Sequence, residues 1–234
     1  MTWLIQVPRL FSAFRGNLQV KTFQDFLRNV FGPIMDASLQ PQKHPELARF
    51  LEDVVGFDSV DDESKPDFFE LSPETEMPDR YDRAENPPYA YYIWFMYANI
   101  AMINQVRQKR GLNTFTLRPH CGEAGRTNHL AVAFLLAENI NHGINLRKSP
   151  VMEYLYYLTQ IGISMSPMSN NALFLPYRWI LTSSKKFRKI PKNSKKNLKN
   201  YFKANPHFAS SSSVANTSRC RRMIHYSSTW RASP

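Results

Sequence analysis

A chain of 234 residues, 43% of them apolar, can build one sizeable core and one or two domains, which excludes a disulfide-stapled mini-protein and a wholly disordered chain. The net charge of +11 suggests a polyanion binder until it is divided: residues 1–177 carry 16 Lys and Arg against 19 Asp and Glu, while residues 178–234 carry 14 basic residues and no acid. The folded part is therefore mildly acidic, which argues against nucleic acid as its partner.

Short β-type runs alternate with helical patterns along the chain. Trp3 to Val7 is an apolar run closed by Pro8 and is predicted to be a strand. Thr22 can cap a helix on which Phe23, Phe26, Leu27, Val30 and Phe31 recur at helical spacing, with Gly32-Pro33 as its predicted stop. A second helix follows, with Pro45 in its first turn and Leu47, Phe50, Leu51 and Val54 as its stripe. Val54 to Asp58 reads as the next strand, and an acidic, proline-bearing loop leads from it to Pro88.

The segment Tyr89 to Arg110 stacks Tyr89, Tyr92, Ile93, Met96, Ile100 and Ile103 on one side and closes with Arg107, Lys109 and Arg110 before Gly111, where cations suit the negative helix end. Its aromatic row of Tyr91, Tyr92, Trp94 and Tyr97 has helical spacing and reads as core packing rather than a stacking platform for bases. Thr114 to Leu117 is a predicted strand, Thr127 to Glu138 a helix and Ile140 to Leu146 a strand. Ser149-Pro150 opens a helix with Val151, Tyr154, Leu155 and Leu158 facing inward, and Ile161 to Met165 is the last strand. Five strands separated by helices imply βαβ units and a parallel sheet, because parallel neighbours need a crossover.

Beyond Tyr177 the pattern changes. Lys185-Lys186-Phe187-Arg188-Lys189 and Ser210 to Ser213 show little apolar periodicity, and residues 178–234 are expected to be a disordered basic tail that buries too little surface to offset its ordering entropy. The two cysteines, Cys121 and Cys220, imply no disulfide framework, so a reducing, cytoplasmic setting is expected. Met1 to Arg9 lacks the charged leader and long apolar region of a secretory signal, and Tyr89 to Ile103 is shorter than the roughly 18 to 20 residues that span a bilayer.

Chemistry concentrates in Arg118-Pro119-His120-Cys121-Gly122-Glu123-Ala124-Gly125 and, a short way on, in His142-Gly143. His120 and His142 end successive predicted strands, so an imidazole, a carboxylate and a second imidazole come within reach of one pocket. A lone His-x-x-Glu is weak evidence, since neutral core histidines are commoner than metal ligands. Two such elements at adjacent strand ends are stronger.

On these motifs, and from Trp3 to about Tyr177, the sequence resembles the AMP deaminase family of metal-dependent hydrolases. The resemblance implies a (β/α)8 barrel of which the five strands are the third to the seventh, and hydrolytic conversion of AMP to IMP and ammonia. It implies that His120 is a Zn2+ ligand, that Glu123 protonates the purine ring and that His142 orients and deprotonates the attacking water. Gly122 would leave room for the base to approach the backbone. Asp61 and Asp62, with Asp58, resemble the family's substrate-facing fourth loop and read equally well as a solvated acidic loop. Asn170, in Ser166 to Asn171, resembles the seventh-strand loop near the nucleotide and could as well satisfy turn amides. Arg9 is read as a surface or structural arginine rather than a phosphate contact. The resemblance also implies a homo-oligomer.

The chain departs from the family's pattern at both ends. It contains no His-x-His pair, and no Asp-Asp pair follows Met165, which leaves His120 as the only ligand carried over. A catalytic zinc has at least three protein ligands, so this chain is expected to be a partial sequence that holds little or no zinc and releases negligible ammonia from AMP. Two other functions stay open: a non-catalytic fragment that docks on complete deaminase subunits, and a tail that binds nucleic acid or an anionic membrane through its charge.

Overall fold

Six short strands and six α-helices lie within residues 1–166, the part of the chain that this computed structural model describes. The strands are β1 (Trp3–Pro8), β2 (Val54–Val60), β3 (Thr116–Leu117), β4 (His120–Cys121), β5 (Asn139–His142) and β6 (Gly162–Ser164). All are paired in parallel, in two three-stranded sheets of order β1-β2-β3 and β4-β5-β6. The helices are α1 (Phe11–Gly16), α2 (Phe23–Leu39), α3 (Pro45–Glu52), α4 (Tyr89–Lys109), α5 (Asn128–Leu136) and α6 (Pro150–Thr159). Asn170 and residues 178–234 lie outside the described residues.

Where the sequence suggests one strand before the His-x-x-Glu turn, the structure has two, and Pro119 explains the break. A proline has no amide hydrogen to give a sheet ladder. Thr116 and Leu117 pair with Gly56 and Phe57 of β2, and the Arg118 amide still donates to the Phe57 carbonyl at 2.8 Å. At Pro119 the allegiance changes: its carbonyl accepts the Asn141 amide at 2.9 Å, and His120 and Cys121 pair with Asn141 and His142 of β5. One extended segment thus joins the two sheets, and the five-strand expectation holds in substance.

Thr22 caps α2 as its sequence suggests, in a reciprocal capping box with Asp25. The expected stop at Gly32-Pro33 does not occur, and α2 continues to Leu39. Gly32 has no Cβ to clash with the proline ring, which weakens the usual bias against helix before proline. The residues beyond it, Ile34, Ala37 and Ser38, are buried, and that packing outweighs one lost hydrogen bond. Val54 belongs to β2 rather than to the stripe of α3, and Phe50 is exposed against Trp3.

The core lies between the first sheet and helices α2 and α4. Phe57 of β2 sits between Phe31 and Phe115, with ring centroids 5.6 and 5.3 Å away. Tyr92 of α4 is buried and its hydroxyl donates to the carbonyls of Val7 and Pro8, tying the helix to the end of β1. Arg107 does more than face a helix end: it is buried, bonds to Asn113 and Ser38, and lies 4.4 Å over the Phe115 ring. Of the aromatic row on α4, Tyr91 and Tyr92 are core residues and Trp94 is exposed.

Two further expectations are corrected near the end of the described chain. The strand expected over Ile140 to Leu146 stops at His142, because His142 and Gly143 both take left-handed backbone angles, φ of 74° and 65°, and a short 3-10 turn follows. On α6, Val151 and Tyr154 face outward, and the buried residue is Tyr156, whose hydroxyl donates to the Leu130 carbonyl at 2.8 Å. Its packing against α5 decides which side of α6 turns inward.

Candidate active site

The C-terminal ends of β1, β2, β4 and β5 bring polar side chains to one place. Loops at that end converge in parallel α/β proteins, so ligands gather there. Asp58, near the end of β2, is buried, and its Oδ1 lies 2.8 Å from Nδ1 of His120 at the start of β4. Asn141 of β5 donates to the same Asp58 oxygen at 3.1 Å and to the Arg118 carbonyl at 3.1 Å, and Gln6 of β1 reaches the other oxygen at 3.4 Å. Four strands therefore orient one carboxylate and one imidazole.

Burial disfavours a charge on His120, yet the hydrogen bond and charge of Asp58 outweigh that and hold its pKa above the usual histidine value. A carboxylate on Nδ1 fixes the proton there and leaves Nε2 as the acceptor nitrogen, the arrangement a metal-ligating histidine uses.

His142 stands beside His120, with ring centroids 4.9 Å apart. Its Nδ1 lies 3.4 Å from Oε1 of Glu123, so the three residues singled out from sequence stand side by side. The left-handed backbone at His142 is uncommon for a residue with a Cβ, and such strain concentrates at functional sites.

Gly122 also has positive φ, 72°, and a Cβ there would meet Leu130 Cδ2 at 2.7 Å. The missing side chain thus makes room for the turn and for Leu130. Its amide donates to the buried Glu63 carboxylate at 2.6 Å. Asp61 is engaged by Arg9, which is buried and also bonds to Asp67 at 2.8 Å and to the Pro87 carbonyl at 2.9 Å, a structural arginine. Asp62 is exposed and closes a local turn with Ser64 and Lys65. Cys121 is fully buried, and burial pushes its thiol well above the usual range, which keeps it protonated and inert.

A family model described as AMP deaminase matches residues 1–211. The chain belongs to the AMP deaminase family. Its matched region runs past Tyr177, where the sequence alone suggested that the likeness ends. AMP deaminase 1 of Mus musculus is 51% identical over 177 residues, covering 76% of this chain and 24% of that protein. The AMP deaminase of Dictyostelium discoideum is 56% identical over 177 residues, covering 75% of this chain and 22% of that protein, and that of Saccharomyces cerevisiae is 53% identical, with the same shares. The chain spans about a quarter of the length of the curated relatives it matches.

In this AMP deaminase family chain, no group of three or more His, Cys, Asp or Glu side chains among the described residues could hold a metal ion. The described residues alone thus do not form the zinc site that the resemblance implies: His120 offers Nε2, and no second and third ligand joins it among them.

Sequence reasoning missed the supporting residues. Asn141 and Gln6 lie on predicted strands with no motif to mark them, and Asp58 is hidden in sequence among the other acids of its loop, Asp61 and Asp62. The available signal was position: each ends or nearly ends a parallel strand.

Proposed function

We propose that this chain forms part of the catalytic pocket for hydrolytic deamination of AMP to IMP and ammonia, on a (β/α)8 barrel of which the described strands are a sector. The observation that carries this is the gathering of His120, Glu123 and His142 at the ends of two adjacent parallel strands in a member of the AMP deaminase family.

The groups divide the proton traffic of a hydrolysis. As water adds to purine C6, Glu123 gives a proton to N1 and His142 takes one from the water. Collapse of the tetrahedral carbon returns the His142 proton to the departing amine, and the hydroxyl proton passes to Glu123. Ammonia leaves, C6 becomes a carbonyl, and both side chains regain their starting states. Nδ1 of His142 and Oε1 of Glu123 lie 3.4 Å apart, close enough for both side chains to act on one substrate ring.

Gly122, Asp61, Asp62 and Asn170 belong to this proposal as substrate contacts, although Asp61 must then be shared with Arg9. So do a homo-oligomeric state and a cytoplasmic location. None of the described helices is long and apolar enough to cross a membrane.

Grafting residues 1–177 in place of the matched segment of the Saccharomyces cerevisiae enzyme tests the function. The graft is expected to form IMP and ammonia from AMP and to lose both on Glu123→Gln. A folded graft that is inert, or one indifferent to that substitution, overturns the proposal.

A further inference from the structure

The turn that carries Glu123 is gripped from two sides by buried residues of other elements. On one side, Glu63, in the loop after β2, accepts the Gly122 amide through Oε2 at 2.6 Å. The Glu63 backbone also lies so close beneath Gly125 that a Cβ there would meet its carbonyl oxygen at 2.0 Å. On the other side, Asn145, just after β5, donates its backbone amide to the Gly122 carbonyl at 2.8 Å and its side-chain amide to the carbonyls of Ala124 at 2.7 Å and Gly125 at 3.2 Å. Glu63 is 5% exposed and Asn145 2%. Burying such polar groups is costly unless they are bonded, and here their bonds go to one four-residue turn.

A turn of this kind is otherwise mobile. Gly122 and Gly125 both have positive φ, and two glycines in four residues leave the backbone wide freedom. Glu123 sits between them, and its carboxylate meets His142 only if the turn keeps one shape. The Asn145 amide comes from the same segment as His142, three residues on, so the contact also sets the distance between the two catalytic side chains.

We propose that Glu63 and Asn145 are positioning residues that clamp the Gly122–Gly125 turn and thereby hold the Glu123 carboxylate against His142. The catalytic importance of that contact rests on the function proposed above; the clamp itself is a property of this chain.

Amide hydrogen exchange on the full 234-residue chain tests it. Glu63→Ala and Asn145→Ala are each expected to speed exchange at residues 122–125 by about tenfold or more, with the core amides of α2 and α4 unchanged. Glu63→Gln keeps an acceptor and is expected to retain most of the protection. The clamp is overturned if either alanine variant leaves residues 122–125 within about twofold of the parent, or if Glu63→Gln exchanges as fast as Glu63→Ala. Should the alanine variants fail to fold, the Gly122 amide proton of the parent decides. A strongly downfield resonance marks the short bond to a carboxylate, and an ordinary one overturns the clamp.

In the yeast graft, Glu63→Ala is expected to lower kcat with KM within about threefold, and Glu63→Gln to restore much of it. A graft that never releases ammonia counts against the proposed function alone, because exchange still judges the clamp.

Discussion

Nδ1 of His120 lies 2.8 Å from the Asp58 carboxylate, a contact between β2 and β4 that decides which imidazole nitrogen faces the pocket. Removing it with Asp58→Ala should cost the yeast graft about 10- to 100-fold in ammonia release, the usual effect of losing a carboxylate behind a functional histidine. Asp58→Asn should cost nearly as much, since an amide can present its nitrogen and select the other tautomer. Steady-state rates that stay at the parent value would contradict this.

Glu123 and His142 should be far less tolerant. Glu123→Gln and His142→Ala are each expected to lower kcat of the graft by about 100- to 10,000-fold, the range for loss of a general acid or base. Because the proposed function has both serve one proton cycle, the double variant should be little worse than the weaker single one. Additive losses in rapid-quench assays would show that they act independently.

Arg9 should govern folding rather than turnover. It is buried among Asp61, Asp67 and the Pro87 carbonyl, so Arg9→Ala removes the guanidinium from both carboxylates, leaving Asp61 the Asp62 amide and Asp67 the Tyr89 amide and His129. Breaking a buried pair in this way costs about 3–5 kcal/mol. Urea unfolding should show that loss, and a shift below about 1 kcal/mol would mean that water replaces the guanidinium readily.

Glu63 gives the chain a pH-dependent stability of unusual sign. Burial pushes its carboxyl up to about 7 from an ordinary 4.5, although the Gly122 amide holds it down. One oxygen, Oε1, is buried without a hydrogen-bond partner among the described residues. The folded state therefore holds a proton that the unfolded state releases between these values, and stability must fall as pH rises from about 4.5 to 7, by on the order of 3 kcal/mol. Glu63→Gln should flatten that slope. Asp67 works in the opposite direction: burial would raise its pKa, but His129 and Arg9 hold it below the ordinary 3.8, so its contribution fades only at lower pH. Urea midpoints measured at pH 5 and pH 7.5 separate the two.

Much of the architecture could be read from periodicity, and the reasons for the misses are specific. Thr22 and the apolar spacing after it predict the start of α2, yet Pro33 looks like its end because a local rule takes no account of the core that Ile34 and Ala37 fill. The grouping of His120, Glu123 and His142 was legible because strand ends and glycine-shaped turns mark them. Glu63, Asn141 and Asn145 escaped notice because their roles are long-range hydrogen bonds, which leave no period in the sequence. Asp61 and Asp62 illustrate the same limit. Two adjacent carboxylates look alike in sequence, but one is gripped by a buried arginine and the other by its own turn.

The hand-over at Pro119 has a mechanical consequence. Residues 116–118 are latched to β2 and residues 119–121 to β5, so a slip by a single residue would break bonds on both flanks together. The imidazole at position 120 is therefore indexed twice, once from each sheet, and a jolt to either neighbour is resisted by the other.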